Sequence, residues 1–73
     1  MISNHINLIE DYLDINHVEY QSIQNNIEIY SLENDLILID INKDRILIKT
    51  KEQEYSFYDV NNDFFEQLEK LIF

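Results

Sequence analysis

The chain begins with apolar residues at helical spacing. They recur at intervals of three or four positions, at Ile2, Ile6, Ile9 and Leu13. This spacing places the four side chains on one face of a helix. We therefore predict an N-terminal helix over residues 4–14.

From residue 18 the period of the pattern changes to two, which is typical of strands with one buried face. The segments that alternate are 18–23, 27–32, 45–51 and 55–60, and a further strand-sized segment is 36–41. Short polar turns separate them, at Asn25-Asn26, Glu33-Asn34-Asp35, Asn42-Lys43-Asp44 and Glu52-Gln53. Connections this short join antiparallel neighbours. We expect a meander of four or five strands, the number depending on whether residues 18–23 form one.

The middle of this pattern and its C-terminal end differ from the rest. Leu36–Ile39 is apolar on both faces, which is typical of a central strand covered on both sides. After it, Asp63 and Glu66 have the spacing of a capping box at the start of a second helix. The apolar stripe of that helix is Phe64, Phe65, Leu68, Leu71 and Ile72. The predicted fold class is α+β, a small antiparallel sheet flanked by an N-terminal and a C-terminal helix.

Composition constrains how this fold is built. Gly and Pro are absent, so Asn and Asp must occupy the turn positions. Cys is also absent, which excludes a disulfide framework. The excess of residues with AT-rich codons, Ile and Asn above all, indicates a low-GC genome such as that of a bacterium or its phage. We expect one acidic domain over residues 1–73, soluble and cytoplasmic, because no signal peptide and no membrane-span pattern is visible.

Charge is the feature of the composition that bears most on function. Fifteen acidic residues against five basic ones give a formal net charge of −10. A protein this acidic repels nucleic acid and anionic membranes, so we expect it to bind neither directly. Acidic residues near the C-terminal end of the first helix also oppose the helix dipole. Helix stability therefore does not account for them, and a basic protein is the partner we expect.

Acidic groups and nearby tyrosines form the predicted partner-binding surface. Its members are Glu10, Asp11, Asp14, Glu19, Glu28, Glu33, Asp35, Tyr12 and Tyr30. Carboxylates three or four residues apart on a helix lie about 5–6 Å from each other, a spacing similar to that of successive phosphates on a nucleic-acid strand. Tyrosine is enriched at interface hot spots. The alternative is a solvated acidic coat, with tyrosine rings packed on the sheet and their hydroxyls in water.

The basic residues cluster as well. Four of the five lie close together, at Lys43, Arg45, Lys49 and Lys51. On a strand, Arg45, Lys49 and Lys51 share one face. The pattern indicates an exposed or edge strand protected by lysines, and the alternative is a basic stripe that binds an acidic partner.

Residues for catalysis are not apparent. His5 and His17 lack the spacing of a metal site, and no glycine-rich loop is present to hold a phosphate. The serines lack the glycine-flanked turn of a nucleophile. We therefore expect no enzyme activity, no cofactor and no metal.

In size, charge and codon bias the chain resembles small acidic phage inhibitors, including anti-CRISPR and anti-restriction DNA mimics. No family motif is shared, and no residue role is transferred. We expect a small inhibitor that binds a basic nucleic-acid-handling enzyme or complex in the host cytoplasm by nucleic-acid charge mimicry. A protein–protein adaptor or immunity module with incidental acidity is the alternative. A third is a homodimer paired through a strand edge or through Phe73.

Overall fold

The computed structural model describes residues 2–30 and 36–73, with side chains from residue 4 onward in the first range. The elements are α1 (Ile2–Ile15), β1 (Tyr20–Ile23), β2 (Asn26–Tyr30), β3 (Leu36–Ile41), β4 (Ile46–Lys49), β5 (Glu54–Phe57) and α2 (Asn62–Ile72). The five strands form one antiparallel meander in the order β1-β2-β3-β4-β5. The predicted α+β fold is confirmed, and residues 20–23 supply the fifth strand. Neither described helix is long and apolar enough to span a membrane.

Isoleucines align across the three central strands. Ile39 lies opposite Ile27 on one side and opposite Ile48 on the other. Because side chains alternate between the faces of a sheet, this register brings seven isoleucines to one face. They are Ile27, Ile29, Ile37, Ile39, Ile41, Ile46 and Ile48, and each is at most 1% exposed. We call this the inner face.

Both helices cover the inner face. Ile9 and Leu13 of α1 and Phe64 and Leu68 of α2 are buried in the same cluster as the isoleucines. The ring of Phe64 also meets that of Phe57 on β5 edge to face, with centroids 5.3 Å apart. Burying a large apolar side chain contributes about 1.5–3 kcal/mol, so this layer supplies most of the stability of the fold.

The opposite face, which we call the outer face, is left without a helix in the described structure. Leu36 is 43% exposed there, and Leu38 and Leu47 are half-buried. β3 is the central strand, as predicted, but the expectation that Leu36–Ile39 is covered on both sides was wrong. Residues 2–30 and 36–73 contain two helices, and both pack into the isoleucine layer on the same face.

The β1–β2 turn differs by one residue from the prediction. Ile23 pairs with Asn26, so the loop consists of Gln24 and Asn25 rather than Asn25 and Asn26. Gln24 has a φ of 54°, a left-handed conformation in which glycine would be unstrained. The observed register places Tyr20, which packs on the core, opposite Ile29. The predicted turn would have placed a serine there and buried less apolar area.

α1 ends one residue later than predicted, in a Schellman motif. The N–H of His17 donates to the carbonyl of Asp14 at 3.2 Å, and that of Val18 donates to Leu13 at 2.9 Å. His17 occupies the left-handed position with a φ of 57°. Glycine usually fills this position, and a residue with a Cβ is less stable there.

α2 begins with a different cap from the predicted one. The Asn61 side chain accepts a hydrogen bond from the N–H of Phe64 at 3.2 Å, which makes Asn61 the N-cap. The capping box at Asp63 and Glu66 was therefore wrong, because the helix starts two residues earlier. Asp63 instead lies in the first turn, where its charge favours the helix dipole.

Candidate protein-binding surface

The structure divides the predicted partner-binding residues among three places. Glu10, Asp11, Asp14 and Glu19 lie on α1 and on the segment leading into β1. Glu28 and Tyr30 lie on β2. Tyr12 lies between the two helices, while Glu33 and Asp35 are outside the described residues. The set predicted as one surface is therefore not a single patch.

Three carboxylates of α1 form what we call the acidic ridge: Glu10, Asp11 and Asp14. Asp11 and Asp14 are exposed, while Glu10 is half-buried and its carboxylate accepts a hydrogen bond of 2.5 Å from the Ser22 hydroxyl. Ser22 lies opposite the buried Ile27, so its side chain points to the inner face of β1. The ridge therefore lies above β1, the first strand of the sheet.

Tyr20 links the ridge to β1. Burial raises the pKa of Tyr20 above its ordinary value of 10, and a hydrogen bond to Asp14 raises it further. The negative charges of Asp14, Glu10 and Asp11 act in the same direction. All three ridge carboxylates therefore act on the same phenol, which places Tyr20 beside the ridge.

No cation neutralises the ridge within residues 2–30 and 36–73. The α1 segment contains no lysine or arginine. Two contacts of described carboxylates with basic groups lie elsewhere: His5 Nε2 is 3.4 Å from Asp59 Oδ1, and Lys49 Nζ is 3.5 Å from Asp40 Oδ2. Carboxylates at positions i, i+3 and i+4 of a helix repel one another by a few tenths of a kcal/mol per pair. The ridge therefore carries an uncompensated charge that local stability does not favour.

The clustered basic residues do not form a stripe on an edge strand. β4 lies between β3 and β5, so the edge-strand interpretation was wrong. Of the four residues only Lys49 belongs to β4, where it is half-buried on the outer face and pairs with Asp40. Lys43 and Arg45 lie in the turn before the strand and are exposed. The alternating pattern extended into both turns, which is why the strand was predicted too long.

The outer face holds two members of the predicted surface, Glu28 and Tyr30. Tyr30 is 51% exposed, and its hydroxyl donates a long hydrogen bond of 3.4 Å to Gln21. Glu28 lies between Gln21 and Leu38 in the register. We call the apolar residues of this face the outer patch: Ile23, Tyr30, Leu36, Leu38 and Leu47. Exposed apolar surface with a polar border is common at protein interfaces.

Tyr12 contributes to the helix layer rather than to the ridge. Its ring centroid lies 4.8 Å from that of Phe65, and burial followed by the charge of Glu69 raises its pKa. Tyr20 and Ser22 were not predicted as site residues although they contact the ridge. The signal in the sequence was the alternation over residues 18–23, which puts Tyr20 and Ser22 on the same face of the strand that follows the acidic helix.

Comparison with known proteins provides no family for the chain. No protein-family model matches it, and neither the curated proteins nor the solved structures contain a significant match. No three described His, Asp or Glu side chains are close enough together to hold a metal ion. The features of the described residues that bear on function are therefore the ridge, the edge strand beneath it and the outer patch.

Proposed function

We propose that the protein is a small acidic inhibitor that binds a basic nucleic-acid-handling protein by charge mimicry. The acidic ridge is the surface that meets the partner, and Glu19, on the segment leading into β1, is a further contact. The inhibitor acts in the cytoplasm, where such enzymes meet their nucleic acid. In this role the ridge occupies the groove that would otherwise receive phosphates.

The observation that supports this proposal most is the position of the ridge. Its carboxylates lie in the last turns of α1, where negative charge opposes the helix dipole, and no described lysine or arginine pairs with them. Charges that cost folding energy and remain accessible are available to a partner. A basic groove gains affinity and association rate from them.

The net charge supports a protein rather than a nucleic acid as the partner. At −10 the chain repels phosphates over the Debye length, which is about 8 Å at physiological ionic strength. The same field attracts a basic protein and orients its approach. Mimicry therefore predicts binding that weakens steeply as salt is added.

The test begins with capture of the partner from a low-GC bacterial lysate at low salt, with elution by a salt gradient. Affinity for the purified partner is then compared between the wild type and the double variant Asp11→Lys/Asp14→Lys. We expect the variant to bind at least about tenfold more weakly, because like charges then face each other across the contact.

The matched control is Asp44→Lys/Glu52→Lys, which changes two exposed turn residues away from α1. Each reversal adds two charge units, so both double variants have a net charge of −6 instead of −10. We expect the control to bind within about threefold of the wild type, since long-range steering alone is altered. Equal losses in the two variants would leave no specific role for the ridge.

The outer patch favours a second candidate function, a protein–protein adaptor or immunity module whose acidity is incidental. Tyr30 and Leu36 are about half exposed and adjacent in the register. An interface centred on them buries apolar area and tolerates salt. Salt-resistant binding that is lost in Leu36→Asp and kept in Asp11→Lys/Asp14→Lys would favour this function. Sizing of the protein alone tests the homodimer, which would have twice the monomer mass.

A further inference from the structure

The β1 edge of the sheet has backbone groups without a partner strand. In an antiparallel ladder, alternate residues of a strand form hydrogen bonds to the same neighbour. The N–H of Tyr30 donates to the carbonyl of Glu19, so Glu19, Gln21 and Ile23 are the residues whose backbone faces β2. The N–H and C=O groups of Tyr20 and Ser22 therefore point away from the sheet.

The same reasoning applies to the opposite edge. The N–H of Thr50 donates to the carbonyl of Gln53, which makes Tyr55 and Phe57 the β5 residues that face β4. The outward groups of β5 belong to Glu54 and Ser56. Both edges are thus four residues long and open within the described structure.

The two edges differ in what lies beside them. The acidic ridge lies above β1, with Glu10 hydrogen-bonded to Ser22 and Asp14 hydrogen-bonded to Tyr20. On the outer side of the same strand, Ile23 is 46% exposed. A strand added to β1 would thus have carboxylates next to its inward side chains and apolar surface next to its outward ones.

We propose that β1 is a docking strand to which the partner adds an extended segment with alternating basic and apolar residues. Backbone hydrogen bonds to Tyr20 and Ser22 hold the segment, as in other cases of strand addition. Its lysines or arginines lie about 5 Å from Tyr20 and Ser22, beneath the ridge. This inference rests on the proposed function and specifies how the basic partner is recognised.

Charge decides between this occupant and a second copy of the chain. Pairing of β1 with β1 of another copy would bring two ridges to the same side of a continuous sheet. Each chain also carries a net charge of −10, so the two copies repel each other. A basic segment instead neutralises the ridge as it docks.

The probe is a short synthetic peptide with blocked ends in which Lys and Val alternate. Two control peptides are an isomer in which all Lys precede all Val, and an alternating peptide with Glu in place of Lys. Amide exchange of isotope-labelled protein is followed at low salt by nuclear magnetic resonance. At ten times its Kd the Lys-Val peptide should slow exchange of the Tyr20 and Ser22 amides about tenfold, since they become hydrogen-bonded.

Single substitutions separate strand addition from simple attraction. Ser22→Pro removes the outward N–H without removing a β1–β2 hydrogen bond, which is where an edge strand tolerates proline. We expect it to weaken peptide binding about tenfold, because one backbone donor is lost and the ring blocks approach. Ser22→Ala is the matched control, because it removes only the hydroxyl bonded to Glu10. Ser56→Pro makes the equivalent change on β5 and should have no effect.

Protection of Tyr20 and Ser22 that requires the alternating peptide supports strand addition. Equal binding of the isomer without this protection overturns it, and so does unchanged peptide binding by Ser22→Pro. If Asp11→Lys/Asp14→Lys still abolishes partner binding in that case, the proposed function stands while the docking mode fails. If the nuclear magnetic resonance spectrum shows that Ser22→Pro is unfolded, the test of strand addition depends on two results with the wild type. These are the protection of the Tyr20 and Ser22 amides and the binding of the isomer peptide.

Discussion

The inner and outer faces of the sheet are formed by the same strands but differ in solvent exposure and in composition. On β3, Ile37, Ile39 and Ile41 are at most 1% exposed, whereas Leu36 on the other face is 43% exposed. The centre of the inner face consists of isoleucines, whose β-branched side chains fit a pleated and buried surface. The outer face mixes leucines with Glu28, Asp40 and Lys49. Packing thus accounts for the residues of the inner face, while those of the outer face need another explanation.

The largest effect we expect comes from truncating adjacent residues of β3 that point to opposite faces. Ile39→Ala should lower the free energy of unfolding by about 2–5 kcal/mol, because it leaves a cavity beneath the helices. Leu38→Ala should cost less than about 1.5 kcal/mol, since the side chain is already half in water. Urea unfolding measures both. Similar losses would mean that the outer face is covered in solution.

The next effect concerns how α2 is held over the inner face. Asn61→Ala removes the side-chain acceptor for the Phe64 N–H and should cost about 1 kcal/mol. Asn62→Ala, at an exposed helix position, is the control and should change stability by less than about 0.5 kcal/mol. The thermal melting curves of the two variants measure these stability changes. A larger loss of stability in Asn62→Ala than in Asn61→Ala would mean that Asn61 is not the N-cap.

A stabilising change is expected at the end of α1. His17→Gly should raise the free energy of unfolding by about 0.5–1 kcal/mol, because a left-handed residue without a Cβ is unstrained. His17→Ala keeps the Cβ and should bring no such gain. Chemical denaturation of the two variants tests this, and an equal gain from alanine would point to the imidazole rather than to backbone strain.

The smallest expected effect tests whether the charges of the ridge contribute to the stability of the fold. Asp11→Asn/Asp14→Asn should stabilise the protein by a few tenths of a kcal/mol at low salt, since repulsion and an unfavourable dipole term are relieved. The gain should shrink in high salt. The inner-face variant Ile39→Ala should show little of this salt dependence. A loss of stability would instead give the ridge a structural role.

Much of the fold was predictable because its signals are local. Helical spacing identified the faces of α1 and α2, and short polar turns required antiparallel neighbours. The exact turn residues were less predictable, because register depends on what is buried. The pairing of Tyr20 with Ile29 sets the register of β1 on β2, and this register determines which residues form the loop. The turn preferences of the polar residues themselves matter less.

The sequence predicted which acidic residues belong to the candidate site, but it did not predict which residues they contact. Asp11 and Asp14 were identified from helical spacing alone. Their relation to Tyr20 and Ser22 was not, because these residues meet only when α1 packs across the edge of the sheet. Tyr12, adjacent to Asp11 in sequence, points toward α2 instead.

The sequence alone determined the element types, the apolar stripes and the excess of negative charge, since these follow from periodicity and composition. Tertiary structure decided that both helices share one face, that β1 and β5 are the edges, and that the ridge lies above β1. These features depend on contacts between distant segments, such as Glu10 with Ser22. Such contacts form only where burial of the isoleucine face offsets the entropy of ordering the chain.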